Sequence, residues 1–144
     1  MADAYQEIEI KYHFIVPPRI IFEALTNQMM LIQLSQNAAI SEPRPQGKYS
    51  LYGGIIEGEY ISLKQNEQIE MNWRFKDWGS VWSHVLITLE QGEDDDEVIV
   101  VVKQTKVPAY DNYGKHVHLD NLENGWRNNI FEKLSKVFGF PIKK

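Results

Sequence analysis

The sequence predicts an α+β fold in which an antiparallel sheet of about six strands curves around one long C-terminal helix, with two short helices after the first strand. Three observations predict it. Apolar residues repeat at helical spacing from Leu119 to Phe138, an alternating strand period governs most of the chain from Gly47 to Lys106, and the turns between those strands are short. Short turns make neighbouring strands antiparallel, and a twisted sheet of that size can wrap a rod on its concave side.

The first strand is Glu7 to Ile15, EIEIKYHFI, with Ile8, Ile10, Tyr12 and Phe14 on one side and Glu7, Glu9, Lys11 and His13 on the other. Pro17 and Pro18 end it and open a short helix, Arg19 to Leu25, because proline suits a first helical turn. A second short helix, Gln28 to Ser35, follows Thr26 and Asn27 as candidate caps. Its run Met29, Met30, Leu31, Ile32 and Leu34 is apolar nearly all round, which places it in the core or leaves part of it for a partner.

Ser41 to Gln46, with Pro43 and Pro45, reads as a surface connection. Five strands come after it: Gly47 to Tyr52, Ile55 to Leu63, Gln68 to Phe75, Val81 to Glu90 and Val98 to Lys106. They are joined at Gly53-Gly54, Lys64 to Glu67, Asp77 to Ser80 and the acidic tip Gly92 to Asp96. Val107 to His116 leads into the final helix. There Leu119, Leu122, Trp126, Ile130, Leu134 and Val137, widened by Phe131 and Phe138, form a stripe over roughly half the circumference. Asp120 is the expected N-cap with Glu123 three residues on, and Gly139 and Pro141 stop the rod. No repeat or linker divides the chain, so residues 1–144 read as a single domain.

The 144 residues include no cysteine, which removes thiol nucleophiles, Cys-based zinc sites and disulfides together. No apolar run reaches the ~18 residues of a membrane span, and the opening MADAYQEIEI has no leader-like basic and apolar segments. A cytoplasmic, monomeric protein away from membranes is the expectation. The net charge of −5 argues against nucleic acid as a partner. Charge is uneven, however: residues 1–97 hold 7 Lys and Arg against 16 Asp and Glu, whereas residues 98–144 hold 8 against 4. Such polarity can steer an oppositely charged partner, or it can be scattered solvated charge.

Catalytic groupings are thin. His116 and His118 could offer two ligands from one side of an extended segment, but spacing identifies no third, and two surface histidines are the simpler reading; His13 is read the same way. The acidic run Glu93 to Glu97 lacks the pattern of a calcium loop and reads as a solvated hairpin tip. Gly53, Gly54 and Gly58 lack the strand-to-helix context of a phosphate cradle and read as turns or bulges. Glu123 and Arg127, four apart with the acid first, should pair at the sheet's rim or line a wet pocket. No paired acid and base, no metal and no cofactor is called for, which argues against an enzyme.

The densest aromatic stretch is MNWRFKDWGSVW, residues 71–82. On a strand Met71, Trp73 and Phe75 face inward while Asn72, Arg74 and Lys76 face outward. Trp78 and Trp82 flank the turn. Either they stand exposed beside Arg74 and Lys76 as a protein-contact surface, or they fold back on the barrel mouth.

Here the chain resembles a known family. Gly47-Lys48-Tyr49, Gly58-Glu59, Trp73-Arg74-Phe75-Lys76 with Trp78, Val107-Pro108, Asn124-Gly125-Trp126-Arg127 with Phe131, and Phe138-Gly139 resemble the C-terminal domain of the Aha1 family, activators of the Hsp90 ATPase. The resemblance runs from about Ile8 to Phe140, and its most specific parts are WRF and NGWRNNIFEKL. It implies the helix-grip fold of the START and Bet v 1-like superfamily, and a non-enzymatic co-chaperone that binds Hsp90 and promotes its ATPase cycle by favouring the closed state. Arg74, Lys76, Trp78 and Trp82 are the expected partner contacts, on their chemistry alone. Full-length members also carry an N-terminal domain that anchors on the chaperone, and nothing in these residues corresponds to it. Stimulation is therefore expected to be weak or to need a second protein.

The alternative implied by the superfamily is a carrier of lipids or small hydrophobic ligands. It requires a closed cavity of at least ~300 Å³ between final helix and sheet. Trp73, Trp126, Phe131 and Phe138 are bulky enough to fill that space, which favours a solid core.

Overall fold

In the computed structural model, which describes residues 5–143, the alternation at the N-terminus becomes strand β1 (Tyr5–Phe14), with Ile10 and Phe14 buried and Glu7, Glu9 and Lys11 in the open. Residues 1–4, part of the stretch read as having no leader, and residue 144 lie outside the described residues. Pro17 and Pro18 then start α1 (Pro18–Thr26). Asn27 caps α2 (Gln28–Ser35), its side-chain oxygen accepting from the Met30 amide at 3.0 Å. Thr26, the other candidate cap, stays in α1 and donates its hydroxyl back to the Phe22 carbonyl at 2.7 Å. Leu31 and Leu34 of α2 enter the core, while Met29 is left exposed.

The remaining strands are β2 (Ile40–Ser41), β3 (Lys48–Leu51), β4 (Ile56–Lys64), β5 (Gln68–Phe75), β6 (Ser83–Gln91) and β7 (Val98–Pro108). They make one antiparallel sheet in the order β1-β7-β6-β5-β4-β3-β2. That is seven strands where six are read from sequence. The extra one, β2, pairs only Ile40 with Ser50 and Ser41 with Tyr49, too short to leave a period, and it borders the proline-rich connection. Gly58 is also a correction, being neither turn nor bulge. It sits in register between Tyr49 of β3 and Trp73 of β5, where a Cβ would come within 3.0 Å of the Asn72 carbonyl oxygen.

The C-terminal rod runs through α3 (Leu119–Trp126), a π-turn (Arg127–Phe131) and α4 (Glu132–Phe138), with helical dihedrals at both junctions. The buried or half-buried residues Leu122, Trp126, Ile130, Leu134 and Phe138 step by four throughout. On a straight α-helix each such step overshoots a full turn by about 40°, so the stripe would drift about 160° along the rod. A π-turn inserts one residue and rotates the stripe back toward the sheet. Val137 is correspondingly turned outward at 37% exposure, although an unbroken α-helix would bury it. The N-cap is His118 without a side-chain bond, and Asp120 lies inside the first turn, where its charge complements the helix dipole and makes no capping hydrogen bond. Gly139 closes the C-terminus with φ +77°, and its amide donates to the Ser135 carbonyl at 2.9 Å.

The rod crosses the concave side of the sheet from β5 to β1. Trp126 stacks on Trp73 with ring centroids 5.6 Å apart, and Phe131 stacks on Tyr12 at 4.9 Å. Beyond Gly139 the chain returns to β1, where Ile142 bridges Phe14 and the Lys143 amide donates to the His13 carbonyl at 2.8 Å.

Candidate functional site

The WRF stretch splits as the strand period demands. Met71 and Trp73 are buried, Phe75 is half-buried, and Arg74 emerges on the outer face of β5. Because Trp73 pairs with Ser83, Trp82 lies beside Arg74 across the strand junction. The Arg74 guanidinium sits over the Trp82 ring at 3.9 Å, while its Nε donates to Glu57 Oε1 at 3.0 Å. The carboxylate and the indole thus hold a flat cation in place beside an indole that remains 37% exposed.

Trp78 takes the other of its two expected positions. It is buried at 4%, edge-on to Trp73 and Phe75, and closes the mouth of the core. As it stands it offers no surface. Lys76 is exposed in the same turn, and among the described residues it forms no ion pair. A surface that sequence reasoning did not find joins this turn from the loop after β7: the Asn112 amide donates to the Asp77 carbonyl at 2.7 Å. That loop carries Tyr110 and Tyr113, 59% and 74% exposed, together with Lys115 and the two exposed histidines. The usable signal was two tyrosines in a segment without strand or helix period.

The histidines fall into three separate groupings, His116 with His118, His84 with Glu70, and His13 with Glu97. His116 and His118 approach to 3.3 Å between Nδ1 atoms, and no group of three or more His, Cys, Asp or Glu suited to a metal occurs among the described residues. On the outer sheet face Glu70 accepts from the Ser62 hydroxyl at 3.1 Å and lies 2.6 Å from His84 Nε2. The His84 hydrogen bond, aided by Ser62, holds the Glu70 carboxyl below its ordinary range. Here the carboxylate lies between hydroxyl and imidazole, so the imidazole does not rest on the hydroxyl as it does in a Ser-His-acid triad. Glu123 and Arg127 pair at 2.9 Å at the rim, with the guanidinium 5.4 Å from the Tyr12 ring.

One acid of the hairpin tip departs from its neighbours. Glu93, Asp94, Asp95 and Asp96 are exposed as expected, but Glu97 is 7% exposed and accepts from Lys143 Nζ at 3.1 Å, with His13 Nε2 3.0 Å away. These bonds, Lys143 first, lower its carboxyl below the usual range. The contact ties the tip, β1 and the C-terminal segment together.

Between helix and sheet the interior is filled except at one end. Between α2 and strands β3 to β6, beside Leu31, Leu34, Tyr60 and Met71, the space amounts to about 10 Å³. Under α3 an apolar recess of about 200 Å³, open to the surface, is walled by Tyr52, Ile55, Trp73, Phe75, Gly125 and Ile130 among others. It falls short of the closed chamber of ~300 Å³ or more that a lipid carrier requires.

Residues 15–139 match the family model described as Activator of Hsp90 ATPase homolog 1-like protein. The chain is 30% identical over 138 residues to an Activator of 90 kDa heat shock protein ATPase homolog from Dictyostelium discoideum, covering 94% of this chain and 34% of that protein. It is 25% identical over 137 residues to the human Activator of 90 kDa heat shock protein ATPase homolog 1, covering 95% of this chain and 38% of that one. The chain therefore spans little more than a third of the length of these relatives. Among solved structures, an HSP90 activator from Plasmodium falciparum superposes with a TM-score of 0.91 at 27% identity, covering 95% of this chain and 99% of that one. The Aha1 dimer from Colwellia psychrerythraea superposes at 0.71 and 14% identity over 93% and 98% of the two chains, a likeness of fold.

Proposed function

Because the chain belongs to the family of Activator of Hsp90 ATPase homolog 1-like proteins, we propose that it is an Hsp90 co-chaperone that binds the chaperone and stimulates its ATPase cycle. The observation that carries this reading is the family match across residues 15–139, supported by a likeness over nearly the full length to a solved activator. The 144 residues act as one domain, as a monomer in the cytoplasm, and perform no chemistry on ATP themselves. No helix among the described residues is long and apolar enough to cross a membrane.

Mechanistically, the domain favours the closed, hydrolysis-competent chaperone by binding it more tightly than the open one. A ligand shifts a two-state equilibrium only by its difference in affinity for the two states. Arg74, Lys76 and Trp82 are the contacts proposed on this surface. Trp78 supports them from below, fixing the turn on which Lys76 stands. The test is ATP turnover by the matching Hsp90 with and without the domain, together with direct binding. Turnover should rise, and the rise should be larger when a second activator fragment is added. Neither binding nor stimulation at tens of micromolar would remove this reading.

A further inference from the structure

We propose that His116 and His118 form a bidentate surface chelate for zinc at the entry to α3, with the remaining coordination positions open to solvent. The inference does not depend on the co-chaperone reading.

Local structure sets both rings on one side. Tyr110 and His116 bridge across a tight turn, which Asp111 closes by accepting from the Tyr113 and Lys115 amides at 2.8 and 2.9 Å. Val117, between the two histidines, is half-buried, and its amide donates to the Ala109 carbonyl at 2.8 Å. With Val117 held inward its neighbours face out, as residues two apart on an extended segment do. His118 is fixed in turn as the N-cap of α3, its carbonyl accepting from the Asn121 and Leu122 amides at 3.1 and 3.2 Å. The spacing permits a shared side, and the turn and cap enforce it.

Distance then selects the ligand. The Nδ1 atoms of His116 and His118 are 3.3 Å apart, whereas the ring centroids are 4.6 Å apart with planes tilted by 56°, so the rings converge on those two nitrogens. Two Zn–N bonds at a tetrahedral angle place their nitrogens about 3.3–3.4 Å apart. A right-angled pair, as in square-planar copper or nickel sites, needs about 2.9 Å at the same bond length. The observed separation is also longer than the ~2.7–3.2 Å usual where an N–H donates.

Access and charge permit the ion. Both histidines are exposed, so solvent can deliver zinc and fill its other positions. Asp111 and Asp120 stand against Lys115 in residues 111–120, and Asp120 in the first turn offsets the positive end of α3 that a cation at its N-cap meets. Zinc takes an imidazole through an unprotonated nitrogen. On binding, the proton shared between the two Nδ1 atoms moves through solvent to Nε2, which leaves both Nδ1 lone pairs to the metal. His13 and His84 each face a carboxylate instead, Glu97 and Glu70.

Titration of the ¹⁵N-labelled domain with zinc chloride in a non-chelating buffer tests this. The ring resonances of His116 and His118 should shift together, with Nδ1 metallated and Nε2 protonated, while those of His13 and His84 stay in place. Calorimetry should count one zinc per chain. His116→Ala and His118→Ala should each weaken zinc affinity at least tenfold, with melting temperatures within a few degrees of the parent, and zinc should raise the melting temperature of the parent alone. Should His118→Ala unfold for want of an N-cap, His118→Ser keeps the cap and should lose zinc to the same extent. One zinc per two chains, with a dimer formed, keeps the chelate and assigns the open positions to a second copy's pair. Absence of binding at millimolar zinc, retention of affinity within twofold by either single variant, or zinc taken first by His13 or His84 would each overturn the proposal. None of these results bears on binding to Hsp90, which is measured separately.

Discussion

The indole Nε1 of Trp126 donates to Oε1 of Gln104 at 2.8 Å, a buried polar link between α3 and β7. Gln104 Nε2 in turn donates to the Ser83 hydroxyl at 2.9 Å, and Ser83 donates to the Trp73 carbonyl. With Gln104 at 0% exposure, its replacement leaves groups that water cannot reach. Gln104→Leu should therefore cost about 1–3 kcal/mol, the penalty of orphaning the Trp126 N–H and the second valence of Ser83. Urea unfolding checks it. A variant as stable as the parent would mean that the chain of bonds is not what fixes helix to sheet.

That chain also marks a limit of what the sequence reveals. The periods of two and of roughly four expose strands and rod, because each follows from side chains alternating or recurring on one buried face. Gln104 stands at an inward position of β7 among valines, and only the facing Trp126 and Ser83, 22 and 21 residues away along the chain, explain a polar residue there. The fate of the two tryptophans was equally hidden. Trp78 and Trp82 flank one turn in one composition, and which of them folds back depends on whether Trp73 and Phe75 present edges to it. Glu97 looked like the last of five tip acids until Lys143, distant in sequence, came alongside. The π-turn had a visible signal: apolar spacing of four sustained over four steps does not fit a straight α-helix.

The Glu97 contact gives stability a pH dependence of definite sign. Its folded carboxyl titrates below the unfolded one, so its contribution is complete above the ordinary carboxylate range and is lost as pH falls through the folded value. Lys143 is shifted upward by the same bond, so its share is complete below the usual lysine range and is lost as pH rises through the folded value. Urea midpoints of the parent and Glu97→Gln, measured from acid to alkaline pH, should differ most between these limits and converge at both ends. Parallel curves at all pH values would show that the contact contributes nothing through ionisation.

Gly125→Ala should stabilise the isolated domain. The added methyl meets nothing within 4 Å, and alanine gains about 1 kcal/mol over glycine in a helix interior. For a domain of this size the melting temperature should rise by roughly 3 °C. Scanning calorimetry decides, and a fall would mean that the recess wall is more closely packed than its geometry indicates.

Trp78 and Trp82 should part company when truncated. Trp78 is 4% exposed and touches two aromatic rings, so Trp78→Ala should cost about 3–5 kcal/mol of folding stability, as large core truncations do. Trp82 is 37% exposed, and its main ordered contact is the Arg74 guanidinium, an interaction worth about 0.5–1 kcal/mol at an exposed site. Trp82→Ala should therefore leave the fold within about 1 kcal/mol of the parent, yet reduce affinity for the matching Hsp90 roughly tenfold, as removal of a contact tryptophan does. Arg74→Ala is the less clean probe, because it also leaves Glu57 without its cation, so Glu57→Gln must be measured beside it. Paired unfolding and binding curves for the two tryptophan variants separate the roles, since a scaffold residue moves the first and a contact residue the second. Equal losses of stability would mean that both indoles serve the core and that the chaperone is met elsewhere.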